Sequence, residues 1–121
     1  MGYGPCIEEA TIGIKRVQHE LVEWAERNFP NRGFIEPLLG VQEELGELTH
    51  HVLKRMQGIR GSAEEHDAGI RDAVADVVIF LADFCNAEGI DLEQTVVEVW
   101  DTEVKPRDWR KSGTETLDTQ A

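Results

Sequence analysis

Apolar residues recur every three or four positions from Ile7 through Ala10, Ile14, Val17, Leu21 and Trp24, the one-sided stripe of an amphipathic helix. The spacing predicts a first helix from about Glu8 to Arg27. Asn28-Phe29-Pro30-Asn31-Arg32-Gly33 then reads as a breaker-rich loop. Pro37 suits the first position of a second helix, whose stripe is Leu38, Val41, Leu45, Leu48 and Val52 and whose end falls near Gly58. Arg60 to about Asp67 is small and charged, as expected of a surface connection. A third helix follows, with a centre, Val77-Val78-Ile79-Phe80-Leu81-Ala82, that is apolar almost all the way round. Such a segment needs burial on several sides, by other helices or by a partner subunit. It lies within about 20 residues free of breakers, so helix is favoured over strand. Gly89 is a natural C-cap, Asp91 with Gln94 starts a fourth helix through about Glu103, and Pro106 stops it. Four helices with short connections predict an all-α four-helix bundle.

At 121 residues and 40% hydrophobic content the chain has the size and core of one domain, taken as residues 1–111. The polar segment 112–121 is expected to be a disordered tail. Charge narrows the partners. With 24 acidic residues against 12 Lys and Arg, the net charge of −12 disfavours nucleic acid polymers and anionic membranes. The longest apolar run stops at Asp83, well short of the ~18 residues of a membrane span. Neither an export signal nor a disulfide pattern is present. Cys6 and Cys85 read as reduced thiols, and a cytoplasmic location is the expectation.

The acids are not evenly spread. On an ideal helical wheel at 100° per residue, Glu44, Glu47 and His51 share one flank of the second helix's apolar stripe, with Glu43 slightly further round. Asp72, Asp76 and Asp83 repeat this on the third helix, within about 40° of one another. Two such flanks facing each other would crowd four or five carboxylates into a small volume, each raising its neighbours' pKa. Local bases are scarce: Glu64 to Glu103 holds twelve acidic residues and a single basic one, Arg71. A hard divalent cation is the expected neutraliser, because Mg²⁺ and Mn²⁺ take carboxylate oxygens and keep positions open for phosphate.

The run Glu43-Glu44-Leu45-Gly46-Glu47, then Asp72-Ala73-Val74-Ala75-Asp76-Val77-Val78-Ile79-Phe80-Leu81, then Gly89-Ile90-Asp91-Leu92-Glu93 resembles the MazG-like all-α nucleoside triphosphate pyrophosphohydrolases. These are relatives of the dimeric dUTPases and of phosphoribosyl-ATP pyrophosphatase. The resemblance covers roughly residues 8 to 110. It implies a homodimer or homotetramer that uses Mg²⁺, or Mn²⁺, to cleave nucleoside triphosphates between the α and β phosphates, giving monophosphate and pyrophosphate. Glu44, Glu47 and Asp76 match the family's metal-binding acids, and Glu43 matches the residue that orients or deprotonates the attacking water. The chain departs from the pattern at one place. The usual second box is ExxD, but Ala73 stands three residues before Asp76, and Asp72 is expected to serve in place of the missing Glu.

Substrate contacts are sketched more lightly. Lys54 and Arg55 follow the acidic box, and Lys105, Arg107, Arg110 and Lys111 cluster after the fourth helix, so Lys54, Lys105 and Arg107 are candidates for phosphate. Trp24, Asn28 and Phe29 are candidates for the base, although Trp24 also continues the first helix's core stripe. His19 and His66 read as surface residues, with His50 and His51 solvent-facing or beside the ligands. A di-iron oxidase is disfavoured, because such bundles need two Glu-x-x-His pairs and only Glu47-Leu48-Thr49-His50 is present. The remaining alternative is a non-catalytic acidic helical module that binds nucleotide or protein.

Overall fold

A computed structural model describes residues 12–110, and among these the chain is all-helical with no strand. Helix α1 spans Gly13–Asn28, α2 Ile35–Gln57, α3 Ala63–Glu88 and α4 Leu92–Val99. The expected tail at 112–121, Cys6 and the first residues expected in α1, 8–11, lie outside the described residues. Ile12 is extended, so α1 is entered at Gly13.

Three boundaries differ from the sequence expectation, each for a local reason. Pro37 is the third residue of α2 and not the first. Its missing N–H is still harmless there, because the first-turn donors have no partner within the helix. Helix α3 begins at Ala63, well inside the stretch expected to be a connection. Ser62 Oγ accepts from the Glu65 backbone N–H at 3.0 Å while Glu65 Oε1 accepts from the Ser62 N–H at 2.8 Å, a reciprocal cap that starts the helix early. The fourth helix ends as α at Val99 and continues as a wider π-helical turn, Trp100–Val104, closed by Lys105 N–H donating to the Trp100 carbonyl. Pro106 follows. At Gly58 and Gly89 the backbone turns left-handed, as the C-caps of α2 and α3 require.

Helix α2 packs along α3, while α1 lies against α3 and α4. The pairs Gly40 with Phe80, His51 with Gly69, and Arg55 with Asp67 fix an antiparallel register for α2 and α3. Both glycines are contact points. A methyl group at Gly40 would overlap the Phe80 ring, and one at Gly69 the His51 ring. The small apolar core sits at the other end of α3, where Leu21, Ala82, Cys85 and Leu92 meet Val78, Leu81 and Ile90. Burial pushes the Cys85 thiol pKa up, as expected of a packed and unreactive thiol.

A fully buried polar side chain, Gln18, locks this end. Its Nε2 donates to the Ile90 carbonyl at 2.7 Å and its Oε1 accepts from the Leu92 N–H, while Asn86 Nδ2 donates to the Gln18 carbonyl. Lys15 adds an ion pair with Asp91 at 3.0 Å. Burial elsewhere is thinner than the apolar stripes led one to expect. Leu38 and Leu45 of the α2 stripe are exposed, as is Ile79 of the α3 centre, and among the described residues only Pro37 and Gly40 of α2 are buried.

Candidate active site

The α2–α3 register decides which acids meet. With Gly40 beside Phe80 and His51 beside Gly69, Glu44 stands level with Asp76, and Glu47 and Asp72 lie one turn further along the pair. The electrostatics agree. Partial burial raises the Glu44 pKa, and Asp76, Glu43, Glu47 and Asp72 raise it further, in that order. The structure therefore brings the five sequence-predicted acids into one field centred on Glu44.

A metal's fit can be tested on the donor set. Among the described residues no ion pair neutralises Glu43, Glu44, Asp72 or Asp76, and carboxylate oxygens are the ligands that Mg²⁺ and Mn²⁺ select. Among the described residues no three Asp, Glu, His or Cys side chains form a ready-made metal cluster. The chemistry of the donors fits, with Glu44 and Asp76 best placed and Glu47 and Asp72 at the flank.

Next to the acids lies a cleft of about 490 Å³, within the usual range for small-ligand pockets. Leu21, Ile79 and Phe80 form apolar wall, Trp24 and Phe29 stand at the side, and Asp76 belongs to its lining. Trp24 is 46% exposed and meets Phe29 edge to face with ring centroids 5.9 Å apart, so the core role suggested by its place in the stripe does not hold. A neighbouring hollow shares Phe29, Arg32 and Phe80 and reaches Glu43. Aromatic surface and acids are thus contiguous.

The cation of this cleft is Arg32, which is not among the phosphate candidates expected from the sequence. Arg32, in the loop between α1 and α2, holds Asp83 at 2.5 Å. Asp83 is therefore neutralised by a side chain 51 residues away and not by a metal. A signal was present, since Arg32 is the only Lys or Arg between Arg27 and Lys54.

Other candidates are placed elsewhere. Asn28 donates to the Trp24 carbonyl at 2.8 Å, Lys54 to Gln57 Oε1 at 3.0 Å, and neither lines the cleft. Lys105 pairs with Asp101, and Arg107 lies over the Trp109 ring in a separate hollow that shares no residue with the aromatic cleft.

His66 is buried at 2% exposure, contrary to its surface reading. Its Nε2–H donates to the Ile59 carbonyl at 2.9 Å, which leaves Nδ1 facing His51 Nδ1 at 3.1 Å. His51 in turn lies 3.8 Å from Glu47, beside the acids as expected. The chain matches no protein-family model, no curated protein and no solved structure.

Proposed function

We propose that the chain is a Mg²⁺-dependent nucleoside triphosphate pyrophosphohydrolase, cleaving (d)NTPs between the α and β phosphates to release monophosphate and pyrophosphate. The observation that carries this reading is the α2–α3 register, which sets Glu44 level with Asp76 among Glu43, Glu47 and Asp72, with Asp76 lining the aromatic cleft. A site of that kind repels bare phosphate and admits it with its cation. Bound Mg²⁺, or Mn²⁺, would supply Lewis-acid activation of the α-phosphorus and of the attacking water. Glu44 and Asp76, with Glu47 and Asp72, would hold the ion. Glu43, on the neighbouring hollow, accepts the proton of the attacking water, while Trp24 and Phe29 offer ring faces on which a base can stack.

The reading includes a MazG-like arrangement of the four helices as a homodimer or homotetramer. Its support is the half-open apolar surface: Leu39, Leu45, Leu53 and Met56 on α2 and Val96, Val97 and Trp100 beyond α3 are all exposed. Light scattering at micromolar concentration should give a particle of at least twice 13.6 kDa, and a 13.6 kDa particle would reject the assembly.

Incubation with Mg²⁺ and a panel of standard and damaged (d)NTPs, read by pyrophosphate release, tests the activity. The alternative is a non-catalytic nucleotide- or protein-binding module. That module would yield no pyrophosphate from any substrate.

A further inference from the structure

Three side chains in series, His66, His51 and Glu47, lead from a backbone carbonyl to the acids around Glu44. A carbonyl oxygen only accepts, so the 2.9 Å bond from His66 to Ile59 puts the His66 hydrogen on Nε2. In the neutral ring Nδ1 is then an acceptor, and the 3.1 Å contact between the two Nδ1 atoms takes its hydrogen from His51. The neutral His51 ring is left with its lone pair on Nε2, the nitrogen that faces Glu47 Oε2 at 3.8 Å.

Both rings are closely confined. A methyl group at Gly69 would overlap the His51 ring, and one at Gly61 would stand 3.2 Å from His66 Nε2. His51 and Glu47 are four residues apart on α2 and share a face, the spacing at which helical ligand pairs hold a metal. In this tautomer the two facing atoms both carry lone pairs, and they repel unless a positive centre bridges them. The gap is shorter than two metal–ligand bonds of about 2.1 Å laid end to end, so one ion can reach both. A histidine whose other ring N–H is held by an outer acceptor is the arrangement that fixes the tautomer and aim of metal-binding imidazoles. Glu47 is exposed and His51 half-buried, which leaves one side of the pair open to water or phosphate.

We propose that His51 Nε2 is a ligand of the cation at this site, paired with Glu47 and aimed by His66, and that the site therefore takes a first-row transition ion in preference to Mg²⁺. Imidazole nitrogen suits such ions, whereas Mg²⁺ favours oxygen. Asp72, level with Glu47 on α3, and the other acids around Glu44 supply the oxygen side of the shell. This inference rests on the proposed metal site and names the class of ion it selects.

The test loads the full chain with Co²⁺ at about pH 8, above the ordinary histidine range. Proton NMR should show a hyperfine-shifted imidazole N–H that exchanges in D₂O, from His51 Nδ1. His51→Gln, checked for a wild-type circular dichroism spectrum, should lose this signal. His50→Gln should keep it, although the His50 ring lies beside His51 with centroids 5.3 Å apart. By calorimetry His51→Gln should weaken Co²⁺ about tenfold or more and Mg²⁺ by less than about threefold. Long-range ¹H–¹⁵N correlation on the metal-free wild type, which requires no variant, should place the hydrogens on His51 Nδ1 and His66 Nε2. Bound Co²⁺ without the shifted N–H, a signal that survives in folded His51→Gln, equal losses of Co²⁺ and Mg²⁺ affinity, a hydrogen on His51 Nε2, or no Co²⁺ binding would each overturn the assignment. The shifted N–H in a protein that releases no pyrophosphate would uphold this inference while the hydrolase reading failed. Pyrophosphate release by a protein that binds Co²⁺ without that signal would do the reverse.

Discussion

Arg32 and Asp83 form an ion pair that ties the α1–α2 loop to the C-terminal third of α3, and Asp83 is buried beneath it. Removing the cation leaves a carboxylate with little access to water. Arg32→Ala should therefore lower stability by about 2–4 kcal/mol, somewhat less than for a fully buried pair, since the guanidinium retains some exposure. Adding Asp83→Asn to that variant should recover part of the loss. Urea denaturation of the single and double variants gives the coupling, and independent, additive losses would contradict the pairing.

Glu44 makes a prediction of unusual sign. Partial burial and the acids led by Asp76 raise its pKa in the folded protein, so the native state holds this proton more tightly than the unfolded chain does. Stability from this group is therefore greatest on the acid side and declines as pH rises through the ordinary carboxylate range. Glu44→Gln should raise the metal-free melting temperature at pH 7, by a few degrees at most because water screens the site. Saturating Mg²⁺ should raise the wild-type melting temperature and move the variant much less. A variant less stable than wild type without metal would remove like-charge repulsion from the account.

Two glycines of α2 should respond in opposite directions. Gly40→Ala forces a methyl into the Phe80 ring and should cost about 1–3 kcal/mol. Gly46 has open space where its Cβ would stand, and Gly46→Ala should stabilise by about 0.5–1 kcal/mol. Thermal denaturation of both variants checks the α2–α3 register directly. A neutral Gly40→Ala would mean that the helices do not approach where Phe80 meets α2.

Ser62 should behave as a cap. Ser62→Ala removes the acceptor for the Glu65 N–H and should cost about 1 kcal/mol at neutral pH. Glu65 supplies the pH dependence: hydrogen bonds from Ser62, backbone first and side chain second, hold its carboxyl below the usual pKa. A lowered carboxylate pKa stabilises above the unfolded value and ceases to do so as pH falls through the folded one. The difference between wild type and Ser62→Ala should thus shrink as acidification carries the pH below the usual carboxylate range, where Glu65 takes up its proton. A gap that widened on acidification would contradict the reciprocal cap.

These residues also show how far the sequence alone could be read. Acids at helical spacing were legible as two flanks, because the positions of Glu44 and Asp76 on their own helices follow from the chain alone. Their meeting was not, since the register depends on where α3 begins. That point is set by Ser62 and Glu65, a signature hidden in a stretch whose small, charged composition read as loop. Arg32 and Asp83 lie too far apart for any local pattern to pair them. Gln18 and His66 were missed for a related reason. A polar residue on an apolar stripe is buried when a distant backbone carbonyl, here Ile90 for Gln18 and Ile59 for His66, is there to receive it.

In the proposed function the acids around Glu44 hold the cation of a phosphate-cleaving site. Pyrophosphate release from a (d)NTP panel in Mg²⁺, wild type against Glu47→Gln, tests it most directly. At least one nucleotide should yield monophosphate and pyrophosphate, with the rate falling about a hundredfold or more in Glu47→Gln. Equal release by the two proteins, or none from any nucleotide, would contradict it.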